Sequence, residues 1–178
     1  HCKMETPITS IRGDRKDKDG ETIYGLRQWE SDEFIPREDD VFQERLYCIR
    51  YVSESGRYYI APTDEDLKRE EKVVSLLSER FSEWQEAGYI PSATIEDGVE
   101  TTRLKRERGW AYWHQLFNPR QLFINGLFAK VASEMAIGQK EKAMGLLGVN
   151  KVLTHNSKLS MWNQGKGNEK VESVFTNQ

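Results

Sequence analysis

The stretch Gly109–Lys130, which reads GWAYWHQLFNPRQLFINGLFAK, contains the start of a predicted helix. Pro119 suits the first helical position, and the Asn118 side chain before it can accept a hydrogen bond from a free amide of the first turn. The apolar residues that we expect on the buried face of this helix are Leu122, Phe123 and Leu127. The aromatic residues expected to pack where the preceding segment enters it are Trp110, Tyr112 and Trp113.

Arg120 stands in the first turn of this predicted helix, where the helix dipole disfavours a cation. A cation there indicates a compensating partner, which can be a carboxylate within the fold or a phosphate. Asn118-Pro119 also matches two of the four positions of the [DNS]-Pro-Pro-aromatic motif with which amino-methyltransferases hold a flipped base. Arg120 and Gln121 replace the other half of that motif, so we interpret the pair as a helix cap and first turn.

Charge is unevenly distributed along the 178 residues, which suffice for one domain with a core. Residues 1–109 hold 18 basic and 25 acidic side chains, a net charge of −7, whereas 110–178 hold 8 and 4, a net charge of +4. An acidic half repels nucleic acid and a mildly basic half attracts it. No apolar run approaches the roughly 20 residues that a membrane-spanning helix needs, so we expect no membrane partner.

The two cysteines are too few for a disulfide framework, and no signal peptide is visible. We therefore expect a reduced, cytoplasmic protein. Cys48 lies in LYCIRYV and is interpreted as a small apolar strand residue. Cys2 keeps two interpretations, a free cysteine or the last ligand of a zinc knuckle whose other ligands precede residue 1. The start without Met and the end in VFTNQ lead us to expect a piece of a longer protein.

The predicted fold class is α+β and helix-rich, with a β-hairpin, one long amphipathic helix and a C-terminal helical cluster. Strand-like residues on both sides of a Ser-Glu-Ser-Gly turn predict a hairpin within Glu44–Pro62. Thr63 and Asp66 predict a capping box, followed by a helix over 64–87 with one apolar face and Gly88 at its end. We interpret this helix as packed on the core, with a partner-binding coiled-coil arm as the alternative.

These patterns divide the chain into four parts. Residues 1–62 form an acidic irregular segment and the hairpin, 63–91 the long helix, 92–109 a basic linker and 110–178 a helical region. In the last part, further helical segments are predicted near 139–147 and over 149–159.

The chain contains no recognisable catalytic pattern. No Ser or Cys lies at a triad-like spacing from a histidine, and HExxH, paired CxxC and glycine-rich nucleotide loops are missing. We interpret His114 as a hydrogen-bonded packing residue and His155-Asn156-Ser157 as a helix cap, with ligand contact as the alternative for the latter. Positive charge is concentrated at Arg103, Lys105, Arg106 and Arg108. This cluster is either a solvated face or a set of phosphate contacts.

Four segments in this order resemble the central region of the large adenine-specific DNA methylases of bacteria and archaea, some of which occur in anti-phage defence clusters. The segments are EFIPREDDVFQERLYCIRYV, residues 64–90, RGWAYWHQLFNPRQLF and NKVLTHNSKLSMWNQGKGNEKVESVF. The resemblance covers most of residues 33–178. Several separate segments in the right order are a more specific match than any one segment alone.

The resemblance implies a parent α/β methyltransferase that transfers a methyl group from S-adenosylmethionine to the exocyclic amine of adenine in DNA. Its cofactor-binding glycine loop would precede His1 and its catalytic motif would follow Gln178, so the chain itself would hold no catalytic residue and is expected to be inactive in isolation. Cys2 would belong to the tail of a zinc ribbon, and DNA and the rest of the parent chain would be partners.

The candidate contacts that follow from the resemblance are Arg120, Lys158, Trp162 and Lys166 for DNA and Asn156 for the cofactor. Two alternatives stay open beside it. One is a non-enzymatic module that binds nucleic acid or protein, supported by the basic cluster and its neighbouring aromatic residues. The other is a purely structural insert.

Overall fold

A computed structural model of the chain describes residues 5–163, 165 and 170–172. Its helices are α1 (Ile8–Arg12), α2 (Asp64–Ser78), α3 (Phe81–Glu86), α4 (Thr101–Arg108), α5 (Pro119–Met135) and α6 (Gln139–Leu153), with a 3-10 helix over Trp113–Leu116. Its strands are β1 (Arg15–Lys16), β2 (Thr22–Ile23), β3 (Ile49–Ser53), β4 (Gly56–Ile60), β5 (Met161–Asn163) and β6 (Lys170–Glu172). The strands form three separate antiparallel pairs, β1–β2, β3–β4 and β5–β6. The helix-rich α+β prediction is confirmed, while the predictions for Cys2 and Lys166 lie outside the described residues.

The predicted hairpin is present as β3 and β4. Tyr51 lies opposite Tyr58, and Ser53 opposite Gly56, so that two residues form the turn. Gly56 has φ +129°, a conformation that side-chain-bearing residues rarely adopt. The residues of both strands are exposed apart from the partly buried Ile49, so the hairpin lies mostly outside the core.

The predicted capping box at Thr63 is confirmed, but the long helix is two helices. Thr63 Oγ1 accepts from the Asp66 amide at 3.2 Å, and Asp66 Oδ2 accepts from the Thr63 amide at 2.9 Å. The prediction of one helix over 64–87 is wrong because α2 ends at Ser78 and α3 starts at Phe81. At the break, Arg80 Nη1 donates to the carbonyl of Leu76 at 2.8 Å, which satisfies an acceptor that the helix end leaves free.

The segment predicted as a basic linker contains helix α4. Gly109 ends this helix in the left-handed conformation with φ +76°, and basic side chains occupy its last turn, where the helix dipole favours them. The sequence did not predict this helix because its residues are almost all polar and lack an apolar stripe.

The described part of the C-terminal region contains two α-helices, α5 and α6, where the sequence predicted three helical segments. Asn118 caps α5 as predicted, because its Oδ1 accepts from the Gln121 amide at 2.9 Å. The segments predicted over 139–147 and 149–159 are wrong as separate helices, since α6 continues through Gly148 to Leu153. A single glycine inside a helix costs only about 1 kcal/mol, which the packing of α6 against α5 can offset.

The buried face of α5 differs from the predicted one. Leu122 is buried, but Leu127 is 42% exposed, and the other buried positions of the helix are Asn125, Gly126 and Ala129. The helix packs against α2 and α6, and Gly126 lies against the Trp84 ring of α3. The core that it joins contains Trp29, Phe34, Leu77, Phe81, Trp84, Ile90, Ile95, Trp110, Leu116, Phe117 and Leu122.

Candidate functional site

A cleft of about 1220 Å³ opens between the irregular segment 25–46, helix α2 and the N-terminal end of α5. The residue pair 158–159 closes one wall, together with Arg108 and Trp110. Three of the residues proposed from the sequence therefore meet here, namely Arg108, Arg120 and Lys158. The cleft residues include five acidic and five basic side chains, so the cleft has no net charge to attract a polyanion.

Lys158 is held in the cleft wall by a carboxylate and two aromatic rings. Its Nζ lies 5.1 Å from the centre of the Trp29 ring and 5.0 Å from that of Trp110, and it forms an ion pair with Glu44. The side chain is only 10% exposed. Burial lowers the pKa of Lys158, and the attraction of Glu44 opposes this change. The lysine that the sequence suggested for DNA contact is thus engaged within the fold, where it joins three distant segments.

An ion-pair network around Arg27 organises the segment on the opposite wall. Arg27 binds Asp40 through two hydrogen bonds of 2.7 and 2.6 Å and Glu33 at 2.6 Å, while Arg37 also pairs with Glu33. The hydrogen bond to Asp40 is the main cause that raises the pKa of Arg27. Burial would raise the pKa of Glu33, but the hydrogen bonds from Arg27, Arg37 and the Glu30 amide outweigh it and lower the pKa.

Sequence reasoning did not single out the Arg27 network. Its residues lie in a stretch of mixed charge that resembles any solvated loop. Nothing in the pattern indicates which acid pairs with which base. The network holds the segment 27–40 in a defined shape without regular secondary structure.

Arg120 has a carboxylate partner within the fold. Its Nε donates to Glu70 Oε1 of helix α2 at 2.7 Å, and a second guanidinium nitrogen contacts the same oxygen. Of the two partners that the sequence left open, the described structure contains the carboxylate. The contact ties the first turn of α5 to α2 and compensates the cation at the positive end of the helix.

The basic cluster predicted from RLKRERG lies on helix α4. Arg103, Arg106 and Arg108 are exposed, whereas Lys105 is partly buried and bonded to Asp97 at 2.7 Å. Arg103 also approaches Glu107 at 3.2 Å, and two of the guanidinium groups lie over aromatic rings, Arg106 over Tyr24 and Arg108 over Phe42. Helix α4 thus carries three exposed arginines, and one of them, Arg108, also lines the cleft.

The remaining candidate residues lie outside the cleft. The Asn156 Nδ2 donates to Asn125 Oδ1 of α5 at 3.2 Å, so this side chain links the end of α6 to α5. Trp162 lies on β5, 40% exposed, with the guanidinium of Arg50 over its ring at 4.7 Å. The structure therefore separates the candidates into a cleft, the α4 face, the Asn125–Asn156 contact and the β3–β5 region.

His114 is fully buried next to the core. Its Nε2 donates to the Glu33 carbonyl at 3.0 Å, and its ring packs edge-on against Phe81 at a centroid distance of 5.2 Å. Burial lowers the pKa of His114, and this outweighs the opposite effect of the Glu33 and Pro91 carbonyls. The environment agrees with the interpretation of this histidine as a hydrogen-bonded packing residue.

The lowered pKa of His114 predicts that stability decreases as the pH falls below about 6.5. The unfolded chain binds a proton there more readily than the folded one, so the contribution of neutral His114 is present above that pH and is lost below it. We expect the free energy of unfolding, measured by urea unfolding with circular dichroism, to fall more from pH 7.5 to 5.5 in the wild type than in His114→Gln. Equal losses in the two proteins would contradict this role, and His155→Gln controls for removal of an exposed histidine.

Compared with protein-family models, curated proteins and solved structures, the chain gives no match in any of the three. Within the described part of the chain, no three His, Cys, Asp or Glu side chains are grouped so that they could hold a metal ion. None of the described helices is long and apolar enough to cross a membrane.

Proposed function

We propose that this chain is a scaffolding and DNA-contacting region of an S-adenosylmethionine-dependent, adenine-specific DNA methyltransferase. The observation that carries the proposal is the meeting of the resembling segments at one cleft. Residues 35–46, 108–110, 118–120 and 158–159 are far apart in the chain, yet all contribute to its walls. The resemblance is carried by the sequence, and the fold brings its separate segments together at this cleft.

The proposed DNA contact is the exposed face of α4. Because the acidic and basic side chains of the cleft balance, the attraction for phosphates has to come from another surface. Arg103 and Arg106 supply it, and Arg108 lies both on this face and at the cleft. A duplex bound along α4 would thereby be led to the cleft, and these residues would position DNA without taking part in proton or methyl transfer.

The surroundings of Asn156 do not fit the methyl donor. Asn125, its hydrogen-bond partner, lines a cavity of about 260 Å³ whose walls are mainly apolar. Among the residues that the structure describes, no carboxylate lines this cavity to bind ribose hydroxyl groups. We therefore assign no cofactor contact to Asn156, and the donor would bind to segments that the resemblance places outside residues 1–178.

DNA binding through α4 predicts a defined salt dependence. The double variant Arg103→Glu/Arg106→Glu is expected to bind a fluorescent DNA duplex more weakly than the wild type. The slope of log Kobs against log[salt] should become shallower by about 1.8, because each lost phosphate contact contributes about 0.9. The control Lys68→Glu/Lys72→Glu on α2 makes the same change in charge elsewhere. An equal effect of this control on DNA binding would contradict the assignment of the contact to α4.

Methyl transfer itself is tested on the complete polypeptide that the gene encodes. With labelled S-adenosylmethionine and duplex DNA, the proposal expects N6-methyladenine, detected by mass spectrometry of the digested DNA. In that polypeptide, the α4 double variant should transfer methyl groups more slowly than the wild type at limiting DNA. Its rate should equal that of the wild type at saturating DNA, because the substitutions weaken only DNA binding. Absence of adenine methylation would refute the methyltransferase part of the proposal, whatever the outcome of the binding experiment.

A further inference from the structure

Helix α5 has a second apolar face, on the side away from the core. Its residues are three and four positions apart, so they recur along one side of the helix. We call these five exposed residues the α5 stripe: Ile124, Leu127, Phe128, Val131 and Met135. The positions that the helix buries, among them Leu122 and Ala129, lie on the other side. A helix that is apolar on both sides is usually covered on both.

The α5 stripe is large enough for a stable protein–protein interface. Ile137 follows it by two positions and enlarges the apolar area, and the six residues are between 38% and 95% exposed. At roughly 200 Å² for a fully exposed residue of this size, they present about 700 Å². The largest apolar patch on a typical monomer covers about 300–600 Å², whereas each partner in a stable interface contributes about 600–1,000 Å².

One edge of the α5 stripe carries a basic and an acidic side chain. Lys130 and Glu134 lie four positions apart on the same side of the stripe, and their side chains are 35% and 58% exposed. Within the chain, Lys130 Nζ and Glu134 Oε1 are 3.8 Å apart, which leaves both groups able to reach a closer partner. Helix α6 packs along the opposite edge, where Gly145 faces Ala132. The open edge therefore offers one charge of each sign, which a surface with the same two charges in reverse order would match.

We propose that the α5 stripe is the interface through which two copies of this chain form a symmetric dimer. The two α5 helices would run antiparallel about a two-fold axis close to Ala132, so that a residue before the axis faces one equally far after it. Lys130 of each copy then faces Glu134 of the other copy, two positions on either side of Ala132. Phe128 faces the region of Met135 in the same way. The inference does not rest on the methyltransferase proposal, since it concerns a different surface and a different partner.

The test measures the mass of the 178-residue chain in solution by analytical ultracentrifugation, and we expect twice the mass of one chain. Val131→Glu should raise the dissociation constant at least about tenfold, because it buries an unpaired charge in the interface. The control Val99→Glu makes the same substitution at a position that is 93% exposed and outside the stripe, so it should leave the dimer unchanged. Circular dichroism verifies that both variants are folded. A wild-type chain that stays monomeric at about 100 μM, or equal effects of the two variants, would overturn the proposal.

Charge exchange at the edge tests the antiparallel arrangement. Lys130→Glu and Glu134→Lys should each weaken the dimer about fivefold, because the two-fold axis brings like charges together twice. The double variant Lys130→Glu/Glu134→Lys exchanges the two charges and should associate as the wild type does. A double variant as weak as the single ones would contradict the proposed arrangement.

The same variants in the complete polypeptide that the gene encodes distinguish a second copy from another segment of one chain as the occupant of the stripe. We expect a dimer that Val131→Glu dissociates and Val99→Glu does not. A complete polypeptide that is monomeric would show that the stripe is covered within one chain, and the proposal would be wrong. Its failure would leave the assay for adenine methylation unaffected, because that assay has a separate readout.

Discussion

Replacing Gly126 by alanine is expected to lower the free energy of unfolding by about 2–3 kcal/mol. A methyl group at this position would lie 2.6 and 2.8 Å from two carbon atoms of the Trp84 ring and 3.4 Å from Ile90 Cγ1. Neither neighbour can move easily, because Trp84 and Ile90 are 2% and 1% exposed and are packed in the core. The added methyl therefore forces α5 away from α3, and this cost exceeds the small gain from the better helix propensity of alanine.

Gly148→Ala is the matched control for this experiment. Gly148 also lies inside a helix, but a methyl group there meets no atom within 4 Å. We expect it to stabilise the protein by about 0.5–1 kcal/mol, since alanine restricts the unfolded chain and favours the helix. Urea unfolding followed by circular dichroism should thus give effects of opposite sign, and two stabilising substitutions would show that Gly126 is not a close-packing position.

Replacing Gln115 by leucine is expected to cost about 3 kcal/mol, although the side chain keeps a similar size. Gln115 is fully buried, and its Oε1 accepts from the amides of Ala111 and Tyr112 at 2.8 and 3.0 Å. Its Nε2 donates to the Glu30 carbonyl at 2.7 Å. Leucine would leave these backbone groups without partners in the core and would detach the segment around Glu30 from the 3-10 helix.

Gln121→Leu provides the comparison for Gln115. Gln121 is partly exposed, and its side chain makes one bond, accepting from the Asn118 amide at 2.9 Å. Water can replace that bond after substitution, so we expect a loss of about 1 kcal/mol or less. If Gln121→Leu lost as much stability as Gln115→Leu in thermal and urea unfolding, the burial of the Gln115 hydrogen bonds would not explain their contribution to stability.

The features predicted correctly from sequence depend on neighbours in the chain. The Thr63–Asp66 capping box, the Asn118 cap with Pro119 and the β3–β4 hairpin each arise from residues separated by a few positions. Their hydrogen bonds close small rings, so residue type and spacing are sufficient to predict them. Arg108 was a candidate binding residue because of the basic cluster, and Arg120 and Lys158 were candidates because of the resemblance. Their meeting at one cleft could not be derived from spacing.

The predictions that were wrong, and the elements that the sequence did not predict, concern features that depend on contacts between distant segments. Helix α4 has no apolar stripe from which it could be predicted. The chain changes direction after α2, and Phe81 and Trp84 of α3 pack in the core. The buried face of α5 is centred on Gly126, because the Trp84 ring needs the space that a side chain would take. Periodicity favoured Leu127 instead, since it reports how apolar a face is and not how closely another ring approaches it.

The sequence by itself determined the helix-rich α+β class, the caps and the hairpin, because these follow from local hydrogen bonds and from residue propensities. Only the tertiary structure decided which charges are used inside the fold. Lys158 and Arg120 look like the exposed arginines of α4 in sequence, yet they pair with Glu44 and Glu70, which are 114 and 50 positions away. Pairing energy depends on distance and desolvation in three dimensions, and these are set only when the segments pack together.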